Sequence, residues 1–114
     1  MKFMTVVYNA EFEVLMGNAR AQAAVMVIPP GGREGGKGNR HKGADQWLYV
    51  VEGNGRATVN GKVYRLGPDV LLLIEQGDVH EVANDSDAPL KTLNFYAPPA
   101  YAEDEEALPA GRSK

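Results

Sequence analysis

The chain has no cysteine. That excludes disulfides, thiolate metal sites and cysteine nucleophiles, and it suits a reducing cytoplasm. There are only two histidines, His41 and His80, and only two serines, Ser86 and Ser113. Neither serine stands on a nucleophile elbow, so the spacing gives no Ser-His-Asp triad. Long apolar runs are missing too. The longest aliphatic stretch is Val70 to Ile74, far too short to span a bilayer. One lysine and a brief apolar run before Tyr8, Asn9 and Glu11 do not make a signal peptide. Positive charge is not in excess: 12 Lys and Arg stand against 15 Asp and Glu, a net charge of -3. No broad basic field is available to hold a phosphate backbone. The expectation is a cytoplasmic protein with neither a nucleic-acid nor a membrane partner.

What is present is punctuation. The 114 residues fit one domain, 1–114, with a single core. Turn signals recur throughout, among them Pro29-Pro30-Gly31-Gly32, Gly53-Asn54-Gly55, Asn60-Gly61, Gly67-Pro68-Asp69 and Gly77-Asp78. Short runs rich in Val, Leu, Tyr, Phe and Thr lie between them, and no window keeps helical periodicity. This predicts an all-β sandwich or barrel. Strands are expected at 4–8, 12–16, 20–28, 46–52, 70–74, 79–83 and 90–97. Asn60-Gly61 predicts a type I′ hairpin, because both central residues must take positive φ. A two-residue loop then pairs Val59 with Lys62 and Ala57 with Tyr64. After Pro98-Pro99 the strand pattern stops, and 98–114 reads as a solvated tail.

Several motifs dissolve on inspection. Gly31, Gly36 and Lys37 have the spacing of a phosphate loop, but Gly38 stands where Ser or Thr must hold magnesium. The segment reads as a flexible loop. Its Arg33, Lys37, Arg40 and Lys42, against the single acid Glu34, would attract an anionic small molecule. The carboxylates at 103–106 fall in the expected tail, a poor place for glycosidase chemistry. His41, His80 and Gln46 remain. His41 lies just before a strand that opens with Gln46, and His80 opens another. Strand ends can converge at the mouth of a small barrel, where two imidazoles and an amide suit a first-row transition metal.

The residues from Asn39 to Gly53, and from Gly67 to Asn84, resemble the two motifs of the cupin superfamily. The first motif runs G-x5-H-x-H-x3,4-E-x6-G. Gly53 closes it, Gln46 occupies the glutamate position, His41 the second histidine and Asn39 the first; Arg33 stands at the opening glycine. The second runs G-x5-7-P-x-G-x2-H-x3-N. Gly67, Gly77, His80 and Asn84 fall in place, and Glu75 replaces the proline. The resemblance covers about 20–97, leaving N-terminal strands in 1–19. It implies a jelly-roll β-barrel (a double-stranded β-helix) around a cavity, and a metal site of His41, Gln46, His80 and Asn39. The metal would be Fe, Mn, Ni or Zn.

On this model Gln46, Leu48 and Val50 point inward, while Trp47, Tyr49 and Val51 face a second layer or a homodimer partner. With a neutral amide at the carboxylate position, metal affinity should fall. Asp45 is out of phase with the ligand positions, and Glu52 is in phase but near the strand's far end. Two functions follow. The first is a metal-binding cupin that acts on or binds a small polar or anionic molecule, by dioxygenase, isomerase or lyase chemistry. The second is a non-catalytic binder of a sugar or organic acid with a metal-free pocket, in which the amides satisfy the imidazoles.

Overall fold

The structure, a computed structural model, describes residues 1–35 and 43–101. Among these residues there is no helix. The strands are β1 (Glu13–Gly17), β2 (Gln22–Ile28), β3 (Arg33–Gly35), β4 (Asp45–Glu52), β5 (Gly55–Val59), β6 (Lys62–Leu66), β7 (Leu71–Ile74), β8 (His80–Ala83) and β9 (Leu90–Ala97). They form two antiparallel sheets. One runs β1-β2-β9-β4-β7 and the other β3-β8-β5-β6. The chain changes sheet between β4 and β5, through Gly53. Its φ is 96°, and a Cβ there would stand 2.3 Å from the Pro89 carbonyl oxygen. Only glycine fits that crossing.

The β5–β6 hairpin has the expected register, with Val59 opposite Lys62 and Ala57 opposite Tyr64. Asn60 and Gly61 take φ of 51° and 83°, as a type I′ turn requires. Asn60 also reaches beyond its own turn. Its Nδ2 donates to Asp78 Oδ1 at 2.9 Å, and its Oδ1 accepts from Val79 N at 3.0 Å. Asp78 Oδ2 in turn accepts from Glu75 N at 2.9 Å. The tip of one hairpin thereby holds the turn that delivers His80.

Two expectations fail. Residues 4–8 form no strand; residues 1–9 enter no ladder. Met4 and Val6 instead line a groove with Leu15, Ala23, Leu93 and Phe95 on the outer face of the larger sheet. Alternating apolar residues satisfy either packing on a sheet or pairing within one, and here packing prevails. Conversely, Arg33–Gly35, expected as flexible loop, pairs with β8. Backbone pairing asks little of the side chains, and the edge of β8 would otherwise be open.

The core lies between the sheets at one end. Ile28, Leu48, Val50, Ala57, Leu66, Val82 and Leu90 are almost fully buried there. Gln46, Leu48 and Val50 face inward and Trp47 is exposed, as the alternation predicted. Strand β9 inverts that rule. Its inward face is Leu90, Thr92, Asn94 and Tyr96, all buried, while Phe95 is 43% exposed on the outer face. A polar ladder therefore runs through the middle of the larger sheet, and each of its groups needs a partner.

Candidate functional site

Beyond the core, the barrel opens into a cavity of about 270 Å³. Phe12, Met26 and Val82 supply its apolar walls, and Gln46, His80, Glu34, Tyr96 and Tyr101 its polar ones. Of the expected ligands, Gln46 and His80 do converge here. Asn39 and His41 lie outside the described residues.

Gln46 is 97% buried, with 3% of its surface exposed, and its amide orientation follows from a chain of bonds. Thr92 Oγ1 donates to the Met26 carbonyl at 2.7 Å, an oxygen that can only accept. Thr92 Oγ1 must then accept from Asn94 Nδ2, at 2.9 Å. Asn94 Oδ1 must accept from Gln46 Nε2, also at 2.9 Å. Every donor and acceptor role is forced by the backbone carbonyl at the end. Gln46 therefore presents Oε1, and no described residue donates a hydrogen bond to it. An amide oxygen presented to the cavity suits a cation or a ligand hydroxyl.

His80 is 6% exposed. Its Nδ1 contacts the Asp78 carbonyl at 3.3 Å, so Nδ1 carries the proton and Nε2 the lone pair. Burial lowers its pKa, against a smaller upward pull from Asp78. A neutral imidazole with its other nitrogen bonded to a backbone carbonyl is the state a metal ligand needs. The expected mutual satisfaction of amides and imidazoles also involves Asn39 and His41, outside the described residues; of the Gln46 amide, Nε2 goes to Asn94.

The substitute carboxylates are elsewhere. Asp45 accepts from Gln76 N at 3.0 Å, and Glu52 pairs with Lys91 at 3.2 Å on the surface. The carboxyl that does line the cavity is Glu34, which the sequence showed only as the lone acid of a basic loop. On β3 it sits opposite Val82. Residues opposite one another share a face, and Val82 shares its face with His80, two residues before it. Glu34 is exposed, at the rim of the cavity; partial desolvation there, and then Glu11, raise its pKa.

Tyr96 and Tyr101 complete the wall. The described part of the expected tail, 98–101, folds back onto the barrel. Gln22 fastens it: Oε1 accepts from the backbone of Ala100 and Tyr101, each at 2.8 Å, and Nε2 donates to the Tyr101 carbonyl at 2.7 Å. The Tyr101 ring then meets Phe12 and Tyr96 edge to face, at 4.8 and 5.2 Å. Only tertiary pairing brings Gln22 to this segment; the strand pattern alone gave no such signal.

Two further groups explain motif positions. Gly77, with φ of 87°, makes the turn before His80. Asn84 Nδ2 donates to the carbonyls of Ile28 and Ala88, at 2.8 and 2.7 Å, and so ties the end of β8 to β2. The cupin domain family matches residues 24–96 of this chain. The chain belongs to the cupin superfamily.

No curated protein sequence matches this cupin. Solved structures do. A Bacillus halodurans protein is 28% identical, with a TM-score of 0.74 over 82% of this chain and 74% of its own. A Thermus thermophilus protein is 26% identical, with a TM-score of 0.70 over 82% of this chain and 90% of its own. A Thermotoga maritima protein described as a predicted oxalate decarboxylase is 22% identical, with a TM-score of 0.69 over 77% and 79%. At 22% identity the likeness carries the fold and leaves the reaction open.

Proposed function

We propose that this cupin holds a divalent transition metal, Fe, Mn, Ni or Zn, and uses it to bind or act on a small polar molecule in the barrel. His80 Nε2 and Gln46 Oε1 would hold the metal, joined by His41 and Asn39, which precede β4 in the sequence. The observation that carries this is the bond chain from the Met26 carbonyl to Gln46. It fixes an amide oxygen as an acceptor on the same cavity as an imidazole whose tautomer is fixed by Asp78. Bound there, a divalent metal supplies Lewis-acid polarisation of a ligand oxygen. The chain's own residues orient that oxygen and, through Phe12, Met26 and Val82, exclude water around it.

The same Gln46 oxygen supports a second reading, in which a ligand hydroxyl donates to it and the pocket holds a sugar or organic acid without metal. Metal content of untagged protein separates the two. Near-stoichiometric metal that is lost in His80→Ala supports the first; no metal in either protein, even after reconstitution, leaves the second.

The reading extends to assembly and location. Among the described residues no helix is long and apolar enough to cross a membrane, and a cytoplasmic location fits a chain without cysteine. On the outer face of the larger sheet, Leu73, Trp47, Phe95 and Ala23 lie in one row across four strands. The first three of these are 41–43% exposed. An apolar row of this kind favours a homodimer.

A further inference from the structure

We propose that Glu34 and the Tyr101–Tyr96 phenol pair form a recognition wall for a neutral polyhydroxy ligand. Glu34 accepts from a ligand hydroxyl, and Tyr101 donates to a ligand oxygen. The proposal rests on the cavity being the ligand site, and not on the presence of a metal.

The charge of the wall comes first. Among the described residues no Lys or Arg lines the cavity. The one charged group among the described lining residues is the Glu34 carboxyl, and a second carboxylate, Glu11, is close enough to raise its pKa. Arg33, next to Glu34 in the chain, points to the opposite face of β3 and pairs with Glu81 at 3.5 Å. The described part of this wall is therefore negative, and by itself it opposes an anion. The basic residues that suggested an anionic molecule are either turned outward, as Arg33 is, or lie at 37–42, outside the described residues.

Donors and acceptors come second. Burial first, and then nearby charges that include Glu34, raise the pKa of both Tyr96 and Tyr101, so both phenols keep their protons. Both rings line the cavity, and Tyr101 is the less buried of the two, so its hydroxyl is the one placed to donate to a ligand oxygen. Its position is built: two hydrogen bonds with Gln22 hold its backbone, a third holds Ala100 beside it, and two aromatic edges hold its ring. Across the cavity Gln46 Oε1 offers another acceptor. A wall of one carboxylate, one buttressed phenol and aromatic edges matches hydroxyls that both donate and accept, on a carbon frame with apolar faces. The volume, about nine waters at roughly 30 Å³ each, suits a compound of pentose size.

The test uses the full chain after chelator treatment, with D-xylose and D-xylonate as a pair differing in charge, read by calorimetry. Xylose should bind more tightly than xylonate. Tyr101→Phe keeps both ring contacts and should weaken xylose about tenfold, the worth of one hydrogen bond. Glu34→Gln removes the charge, so the xylose preference should shrink by a similar factor, mainly through a gain in xylonate. Tighter binding of xylonate by the unaltered chain overturns the proposal. So does no xylose binding, or wild-type affinities in both variants when circular dichroism shows them folded. A separate metal titration keeps the two readings apart. Metal absent with the preference intact counts against the metal alone. Metal bound with the preference reversed in the chelated protein counts against this wall alone.

Discussion

Thr92→Val is the most direct probe of the bond chain behind Gln46. Valine keeps the shape of threonine and its strand preference, and removes only the hydroxyl. Thr92 and Asn94 are both 0% exposed, so water cannot replace the lost partner. Asn94 Nδ2 loses the acceptor it holds at 2.9 Å, and a buried unsatisfied donor costs about 1–3 kcal/mol. For a domain of this size each kcal/mol lowers Tm by roughly 4–8 °C, so the expected fall is about 5–20 °C. Asn94 is also freed to rotate, and Gln46 loses its fixed orientation. Metal affinity should therefore drop although Thr92 touches no metal ligand position.

Urea titration measures the stability loss, and a double-mutant cycle with Asn94→Leu measures the coupling. Asn94→Leu in the Thr92→Val background should cost about 1–2 kcal/mol less than it does alone, because its amide is already stranded. A loss below about 0.5 kcal/mol, with additive costs, would refute the chain as the device that aims Gln46.

Gln46→Glu should tighten metal binding by roughly tenfold or more, since a charged ligand offsets the dication. The metal-free variant should melt lower, because a carboxylate faces Asn94 Oδ1 where an amide donated; unchanged affinity in a competition titration would remove Gln46 from the ligand set. Asn60→Ala should cost about 2–4 kcal/mol in urea titration, from two lost side-chain bonds and the positive φ of Asn60, whereas Asn60→Gly should recover the φ part alone. Asp85 is held down to about 2, chiefly by Arg65 and then by Arg56. A carboxyl with a depressed folded pKa adds stability that is present above its ordinary 3.8 and lost as pH falls through 2. Thermal melts of Asp85→Asn should therefore be flatter than wild type across that window. Leu73→Asp with Phe95→Asp should give a monomer in sedimentation velocity, and a monomeric wild type would refute the sheet-face dimer.

Strand content and the inward face of β4 were legible because alternation and turn chemistry are local. Asn60-Gly61 specifies its hairpin through backbone φ alone, whatever surrounds it. The motif spacing likewise carried His80 and Gln46 to one cavity, since strand ends in a barrel have few places to go. Polarity misleads on β9, where Thr92 and Asn94 are buried and Phe95 is exposed. That inversion is paid for by bonds to β2 and β4 that no single segment contains. Glu34 was visible only as a loop acid. Its place on the face of His80 depends on β3 pairing with β8, a contact between residues 48 apart by the register of Glu34 with Val82.

Sequence by itself thus determined the all-β architecture, the turns and the two motif strands that reach the cavity, through periods and φ preferences carried by neighbouring residues. Tertiary structure alone decided what the cavity is made of. It turned the Gln46 oxygen toward the cavity through a backbone carbonyl on β2. It folded Tyr101 back onto Phe12 under the grip of Gln22, and it set the carboxyl of Glu34 on the face His80 occupies. Each of these rests on a hydrogen bond or a register between distant strands, and such pairings exist only once the sheets have closed.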